Sequence, residues 1–214
     1  MTEADVRERG AFAIFDDAGE IRTIPAEVDH FSLFDLPRKL GIDEAALERA
    51  YYALSRKLHP DFFQNAPAAK RVRSLDASAR LNEAYKALKD PVRRAVYLVE
   101  LESGKMEENS AIPPAEMLEE IFEAQEAVEE FKCCSEEEEA ENLRGRLGAA
   151  QECFVALRSG QRDALDDLAK KWDGSLEAGA PSSEALDKMR SILSQRNYIN
   201  NVLRSIEGAL EDAS

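Results

Sequence analysis

The chain is poor in the residues that build most active sites. Of its 214 residues only two are histidine, His30 and His59, and three are cysteine, Cys133, Cys134 and Cys153. Neither histidine lies near a nucleophile elbow or a strand-to-helix glycine turn, so a Ser-His-Asp or Cys-His site has little to draw on. Metal ligation is equally poorly supplied, because Cys133 and Cys134 lack the two-residue gap of a zinc knuckle and no histidine pair at helical spacing accompanies them. An odd cysteine count with an adjacent pair fits a reducing cytosol and small residues on helices, and leaves the reactivity of Cys133 and Cys134 open. No GxxxxGK[ST] or GxGxxG loop is present to cradle a phosphate. No run approaches eighteen uninterrupted apolar residues and the start is acidic, so neither a membrane span nor a secretion signal is expected. Basic residues are the scarce charge: 28 Lys and Arg against 43 Asp and Glu, a net charge of -15, oppose binding to nucleic acid.

What is present is hydrophobic content of 44%, enough to bury one or two cores without disulfides. Charge divides the chain. Residues 1–29 carry 3 basic and 8 acidic side chains, residues 30–104 carry 13 and 10, and residues 105–214 carry 12 and 25. A mildly basic module thus sits in an acidic protein, and the linker-like GKMEENSAIPP at 104–114 marks the change. The expected segments are a partly ordered extension or short hairpin at 1–29, a module at 30–104, a linker at 105–113 and a second module at 114–214. In the extension, apolar residues flank DDAGE, which fits a hairpin around Gly19 if it packs on something; disorder is expected over the first ten residues.

In the basic module Asp43 can cap a helix with Leu47, Tyr51, Leu54 and Leu58 on one stripe and Arg49, Arg56 and Lys57 on another side. A second helix is expected over about 67–89, with a stripe of Val72, Leu75, Ala79, Asn82, Tyr85 and Leu88. Asp90-Pro91 opens a third, through Val92, Ala95, Leu98 and Leu101. The acidic half reads as three further helices. Pro113 and Pro114 introduce the first, with Met117, Leu118, Ile121, Phe122 and Val128 as a broad stripe to about Phe131. Ser135 and Glu138 form a capping box for the second, whose stripe of Leu143, Leu147, Ala150, Phe154, Leu157, Ala164, Leu168 and Trp172 runs through Ser159-Gly160 as one long helix. Gly179 to Ser183 end it and start the last, through Leu186, Met189, Leu193, Ile199, Val202, Ile206 and Leu210. The fold class is all-α, with an antiparallel helical hairpin followed by an antiparallel three-helix bundle.

The informative constellation is His59-Pro60-Asp61 between the first two helices. Pro60 turns its predecessor away from helical dihedrals, ending the helix at His59 and projecting a short rigid corner beside Arg56 and Lys57. Such a tripeptide could simply make a helix stop and turn. In order, however, HFSLFDLP, LERAYYALSRKLHPDFF and LNEAYKALKDPVRRAVYL resemble a J-domain over residues 30–101. The resemblance implies docking on an ATP-loaded chaperone of the DnaK type and acceleration of its ATP hydrolysis, with His59, Pro60 and Asp61 as the docking corner and Arg49, Arg56 and Lys57 as the basic face.

Beyond the module the chain has no Gly-Phe-rich stretch and no CxxCxGxG repeats. FxLFxLP, HPDFF and PVxRAxYL followed by an acidic helical half resemble the HscB family, J-domain co-chaperones of iron-sulfur cluster assembly, over residues 30–212. That resemblance implies an L-shaped protein of the cytoplasm whose bundle binds an IscU-type iron-sulfur scaffold protein and presents it to an HscA-type chaperone. Aligning AEMLEEIFEAQEAV with the family places scaffold contacts at Leu118, Phe122, Glu123 and Glu126, and at Asn197 and Tyr198 on the last helix. Leu118 and Phe122 could instead belong to the bundle core. Glu119 stands where the family commonly has methionine and Asn197 where it often has a basic residue. Residues 1–29 hold no cysteine, so the N-terminal zinc segment of many eukaryotic relatives is not expected, nor is any cofactor, and a bacterial origin is. The resemblance makes the chain an adaptor without catalysis of its own. The rivals are a J-domain adaptor for another client, a helical assembly protein and, last, an unsuspected hydrolase.

Overall fold

The computed structural model describes residues 12–106 and 115–212. The expectations of disorder over the first ten residues and of most of the linker fall outside this range. The elements are α1 (His30–Leu33), α2 (Glu44–Leu58), a 3-10 turn (Pro60–Phe63), α3 (Ala68–Lys89), α4 (Pro91–Ser103), α5 (Ala115–Cys133), α6 (Glu137–Glu177) and α7 (Ser183–Asp212). Among the described residues no strand accompanies these helices, so the fold is all-α as the sequence predicts; one isolated antiparallel bridge joins Phe15 and Ile21. Two compact units result, one running to Leu98 and including Trp172–Pro181, the other comprising Val99–Lys171 and Ser182 onward.

The first unit is built on the α2–α3 hairpin. Asp43 caps α2 by accepting from the Ala46 amide at 2.9 Å, and Asp90 opens α4 by accepting from the Arg93 amide at 2.8 Å. Leu47 and Leu58 point inward from α2. The predicted stripe of α3 holds only toward its end, where Leu88 is buried and Tyr85 half-buried against Tyr51 of α2; before it Ser74, Ala77, Leu81 and Ala84 are buried, whereas Val72, Leu75, Ala79 and Asn82 are exposed. Small residues on the inward face let the helices approach, so the buried face is not the most apolar one. Residues 12–28 do form a turn around Gly19, whose φ of +76° suits glycine, and Ile14, Ile21 and Ile24 are buried. Arg80 of α3 secures this segment, donating to the carbonyls of Ile24 at 2.7 Å, Pro25 at 2.8 Å and Val28 at 3.1 Å. Packing thus supplies the support that an isolated hairpin lacks.

His30 stacks on Tyr97 with ring centroids 4.1 Å apart, and its buried Nδ1 has no hydrogen-bond partner. Burial, the largest influence, pushes its pKa below the ordinary 6.5; Arg80 adds to this, while Glu83 and Asp29 oppose it. As pH falls the unfolded chain therefore takes up the proton first. Stability that is complete above pH 6.5 is expected to fall as pH drops through 6.5 toward the lower folded value, and to level off below it. Urea unfolding between pH 5 and 7.5 should show this slope, and His30→Phe should flatten it; an unchanged slope would assign it elsewhere.

The second unit is the predicted three-helix arrangement. Its core unites Ile121, Ala124, Ala127, Val128 and Phe131 of α5, Leu143, Leu147 and Phe154 of α6, and Ile199, Val202, Leu203, Ile206 and Ala209 of α7. α6 is one uninterrupted helix through Ser159-Gly160, as the stripe predicts. Two details differ. The helix begins at Glu137, so the cap position falls on Glu136 and not Ser135. Leu157 is 38% exposed while Leu165 is buried, because the inward stripe advances by about 3.67 residues per turn and passes through half-buried Arg158 and Gln161 rather than Leu157; Ala164 is half-buried at its side. Ser182 caps α7 by accepting from the Ala185 amide at 3.2 Å.

Candidate functional site: an exposed His-Pro-Asp corner

α2 ends where the sequence requires. Pro60 sets the backbone of His59 at φ -58° and ψ 127°, so the chain leaves the helix axis at once. Pro60–Phe63 then form a single 3-10 turn, in which the Phe62 amide donates to the His59 carbonyl at 3.0 Å. The corner closes on itself: the Asp61 amide donates to His59 Nδ1 at 3.3 Å, and Gln64 Nε2 donates to Asp61 Oδ1 at 3.2 Å. Asp61 Oδ2 also lies 3.5 Å from Nδ1. These two arrangements use different protonation states, since an unprotonated Nδ1 accepts from the amide and a protonated one donates to the carboxylate. Local bonds order both side chains while leaving them open to solvent, with His59 55% and Asp61 70% exposed.

The basic residues predicted beside the corner are placed as expected on the solvent side of α2. Arg49, Arg56 and Lys57 are all exposed, Arg49 within 3.8 Å of Asp43 and Lys57 Nζ 5.9 Å from the Phe15 ring centroid. Sequence reasoning missed three neighbours. Phe62 is 75% exposed, and its ring meets His59 edge-on at 6.4 Å. Ser74 and Ser78 of α3 both donate to the Leu58 carbonyl directly behind the corner. Their spacing of four within an otherwise apolar face was the available signal.

On the second unit, Leu118, Phe122 and Glu126 project from one side of α5 at four-residue steps, Leu118 half-buried, Glu126 exposed and Phe122 65% exposed. The Phe122 ring is therefore not part of the core. Glu123 is turned toward α6, lining a shallow groove with Arg146 and Cys153. On α7, Asn197 is exposed, whereas Tyr198 is half-buried against the core. Cys133, Cys134 and Cys153 are free thiols. Among the described residues no group of three or more His, Cys, Asp or Glu is placed to hold a metal ion, and no helix is long and apolar enough to cross a membrane.

Known proteins extend these observations. Residues 29–97 match the DnaJ domain family. A co-chaperone protein HscB homolog of Azoarcus sp. (strain BH72) is 36% identical over 186 residues, 86% of this chain and 98% of that protein. One from Aromatoleum aromaticum is 31% identical over 187 residues, 86% of this chain and 99% of its own. Among solved structures, human co-chaperone protein HscB shares the fold with a TM-score of 0.65 at 22% identity, covering 96% of this chain and 93% of that one. Chaperone HscB from Vibrio cholerae gives 0.59 at 25% identity, covering 87% and 100%. A DnaJ domain with an exposed His-Pro-Asp corner, and similarity over 86% of the chain to nearly the whole length of relatives named as co-chaperones, place this chain in the HscB family.

Proposed function

We propose that this chain stimulates ATP hydrolysis by a DnaK/HscA-type chaperone through His59, Pro60 and Asp61, and delivers to it an IscU-type iron-sulfur scaffold protein. Residues 30–104 would serve as the J-domain and residues 114–214 as the scaffold-binding module, in the cytoplasm. The observation that supports this reading most is the corner itself, an imidazole and a carboxylate ordered by local hydrogen bonds yet open to a partner. Exposed Arg49, Arg56 and Lys57 give α2 a cationic side that can steer it to an acidic groove and raise the association rate. The corner then offers charge-assisted hydrogen bonds that set register. Acceleration follows if the docked surface binds the hydrolysis-competent state of the chaperone better than its resting state. The chain needs no bond-making chemistry of its own, and the names of its relatives, co-chaperones rather than enzymes, agree with that.

For the scaffold, the exposed ring of Phe122 flanked by Leu118 and Glu126 has the form of a small apolar anchor with an acidic rim, with Glu123, Asn197 and Tyr198 as further contacts. Phe122→Ala should weaken scaffold binding by roughly 1 to 2 kcal/mol without changing helicity. Calorimetric titration with the scaffold together with circular dichroism checks this; a loss of helicity would assign the ring a folding role instead. Steady-state ATP turnover of the chaperone tests the whole reading when measured with this chain alone, the scaffold alone and both. The pair should exceed the summed effects of each. No binding of the scaffold, with chaperone stimulation intact, would give the helices a different client.

A further inference from the structure

The carbonyl of Leu58 is the last main-chain acceptor before His59, and two hydroxyls from the neighbouring helix converge on it. Ser74 Oγ donates at 2.7 Å and Ser78 Oγ at 3.0 Å. Serines within a helix more often bond back to their own preceding turn or face water. Here they stand one turn apart on one side of α3, so both reach the same point. Ser74 is completely buried at a position flanked on its face by Ala77 and Leu81, where an apolar residue would satisfy packing alone.

The last carbonyls of any helix lack intrahelical partners. A common remedy is a glycine just beyond the end, which folds the chain back over those carbonyls. α2 has none: Leu58 is followed by His59 at φ -58° and then by Pro60, which has no amide hydrogen to donate. The two serine hydroxyls occupy both lone pairs of the Leu58 oxygen in its place. Because the peptide unit is planar, holding that oxygen also fixes the His59 nitrogen and the direction in which its Cα leaves. From there the Asp61 amide to His59 Nδ1 bond carries the constraint to the imidazole.

We propose that Ser74 and Ser78 are positioning residues for the His-Pro-Asp corner, a two-hydroxyl clamp that presents the imidazole of His59 and the carboxylate of Asp61 in one orientation. The inference rests on the reading of the corner as the chaperone-docking site. Neither serine touches the chaperone; both act through the Leu58–His59 peptide.

The test compares wild-type chain, the double variant Ser74→Ala/Ser78→Ala, the hydroxyl-retaining Ser78→Thr, and Ala84→Gly, a packing defect elsewhere on α3. Saturating stimulation of a DnaK-type chaperone should fall about tenfold in the double variant, a size typical of small misplacement of an essential group. Ser78→Thr should retain stimulation, and so should Ala84→Gly at temperatures below its melting transition. Amide resonances of His59 and Asp61 in the free chain provide a readout independent of the chaperone. They should move in the double variant and stay in place in Ala84→Gly. Unmoved resonances with full stimulation in the double variant, or an equal loss in Ala84→Gly, would overturn the clamp. Should wild-type chain fail to stimulate at all, the docking reading falls, while the two resonances still decide whether the serines position the corner.

Discussion

His59→Gln should abolish chaperone stimulation while leaving the fold and scaffold binding as they are. The glutamine keeps polarity and roughly the length of the side chain, but it loses the ring nitrogen that accepts from the Asp61 amide and the flat edge that meets Phe62. His59 is 55% exposed and makes no core contact, so its replacement removes little packing energy. The expected result is turnover of the chaperone at its basal rate, even at concentrations of the variant that saturate with wild-type chain. Circular dichroism and scaffold titration should overlay those of the wild type. Loss of scaffold binding in the same variant would contradict the separation of the two activities.

Trp172→Ala should be the most destabilising single change in the first unit. The ring is 2% exposed, and its Nε1 donates to the Arg38 carbonyl at 3.1 Å. Next to it, Asp173 accepts from the amides of Leu40 at 2.8 Å and Gly41 at 2.7 Å. Lys39 meets Glu177 at 2.7 Å. The end of α6 is in this way a structural part of the unit that carries the corner. Truncation of the tryptophan leaves a large cavity, so a loss of roughly 3 to 5 kcal/mol is expected in urea unfolding. Because Trp172 is the only tryptophan in the chain, helicity rather than intrinsic fluorescence must follow the transition. Trp172→Phe fills most of the space but removes the Nε1 donation to the Arg38 carbonyl, so about 0.5 to 1.5 kcal/mol should go. Equal, small effects of both variants would show the ring to be dispensable.

Much of this architecture is legible in the sequence because its helices carry strong local signals. Asp43, Asp90-Pro91 and the glycine at 179 mark ends that depend on one or two residues each, and the end of α2 at His59 follows from Pro60. The inward face of α3 is the instructive exception. Val72 and Leu75 look like core on hydropathy, yet the buried side of the helix carries Ser74, Ala77 and Ala84, whose small size permits close approach, while Asn82 and Tyr85 meet Tyr51 of α2 at its rim. Hydropathy ranks residues by their cost in water, whereas a helix interface selects them also by volume and by the hydrogen bonds they can complete. The same reasoning hid Ser74 and Ser78, polar residues whose partner is a backbone carbonyl distant in sequence. Trp172 was readable as buried, but its partners, Arg38 and the neighbouring loop, lie more than a hundred residues away, beyond the reach of any periodicity. Among the proposed scaffold contacts, four-residue spacing groups Leu118, Phe122 and Glu126. It does not place Glu123, which faces α6.

The most direct test is single-turnover hydrolysis by a DnaK/HscA-type chaperone preloaded with ATP, followed while this chain is added over a range of concentrations. The rate should rise with concentration and level off, and an Asp61→Asn variant should leave it at the value of the chaperone alone. A rate indifferent to the wild-type chain, or one raised equally by the variant, would contradict the assignment of the corner.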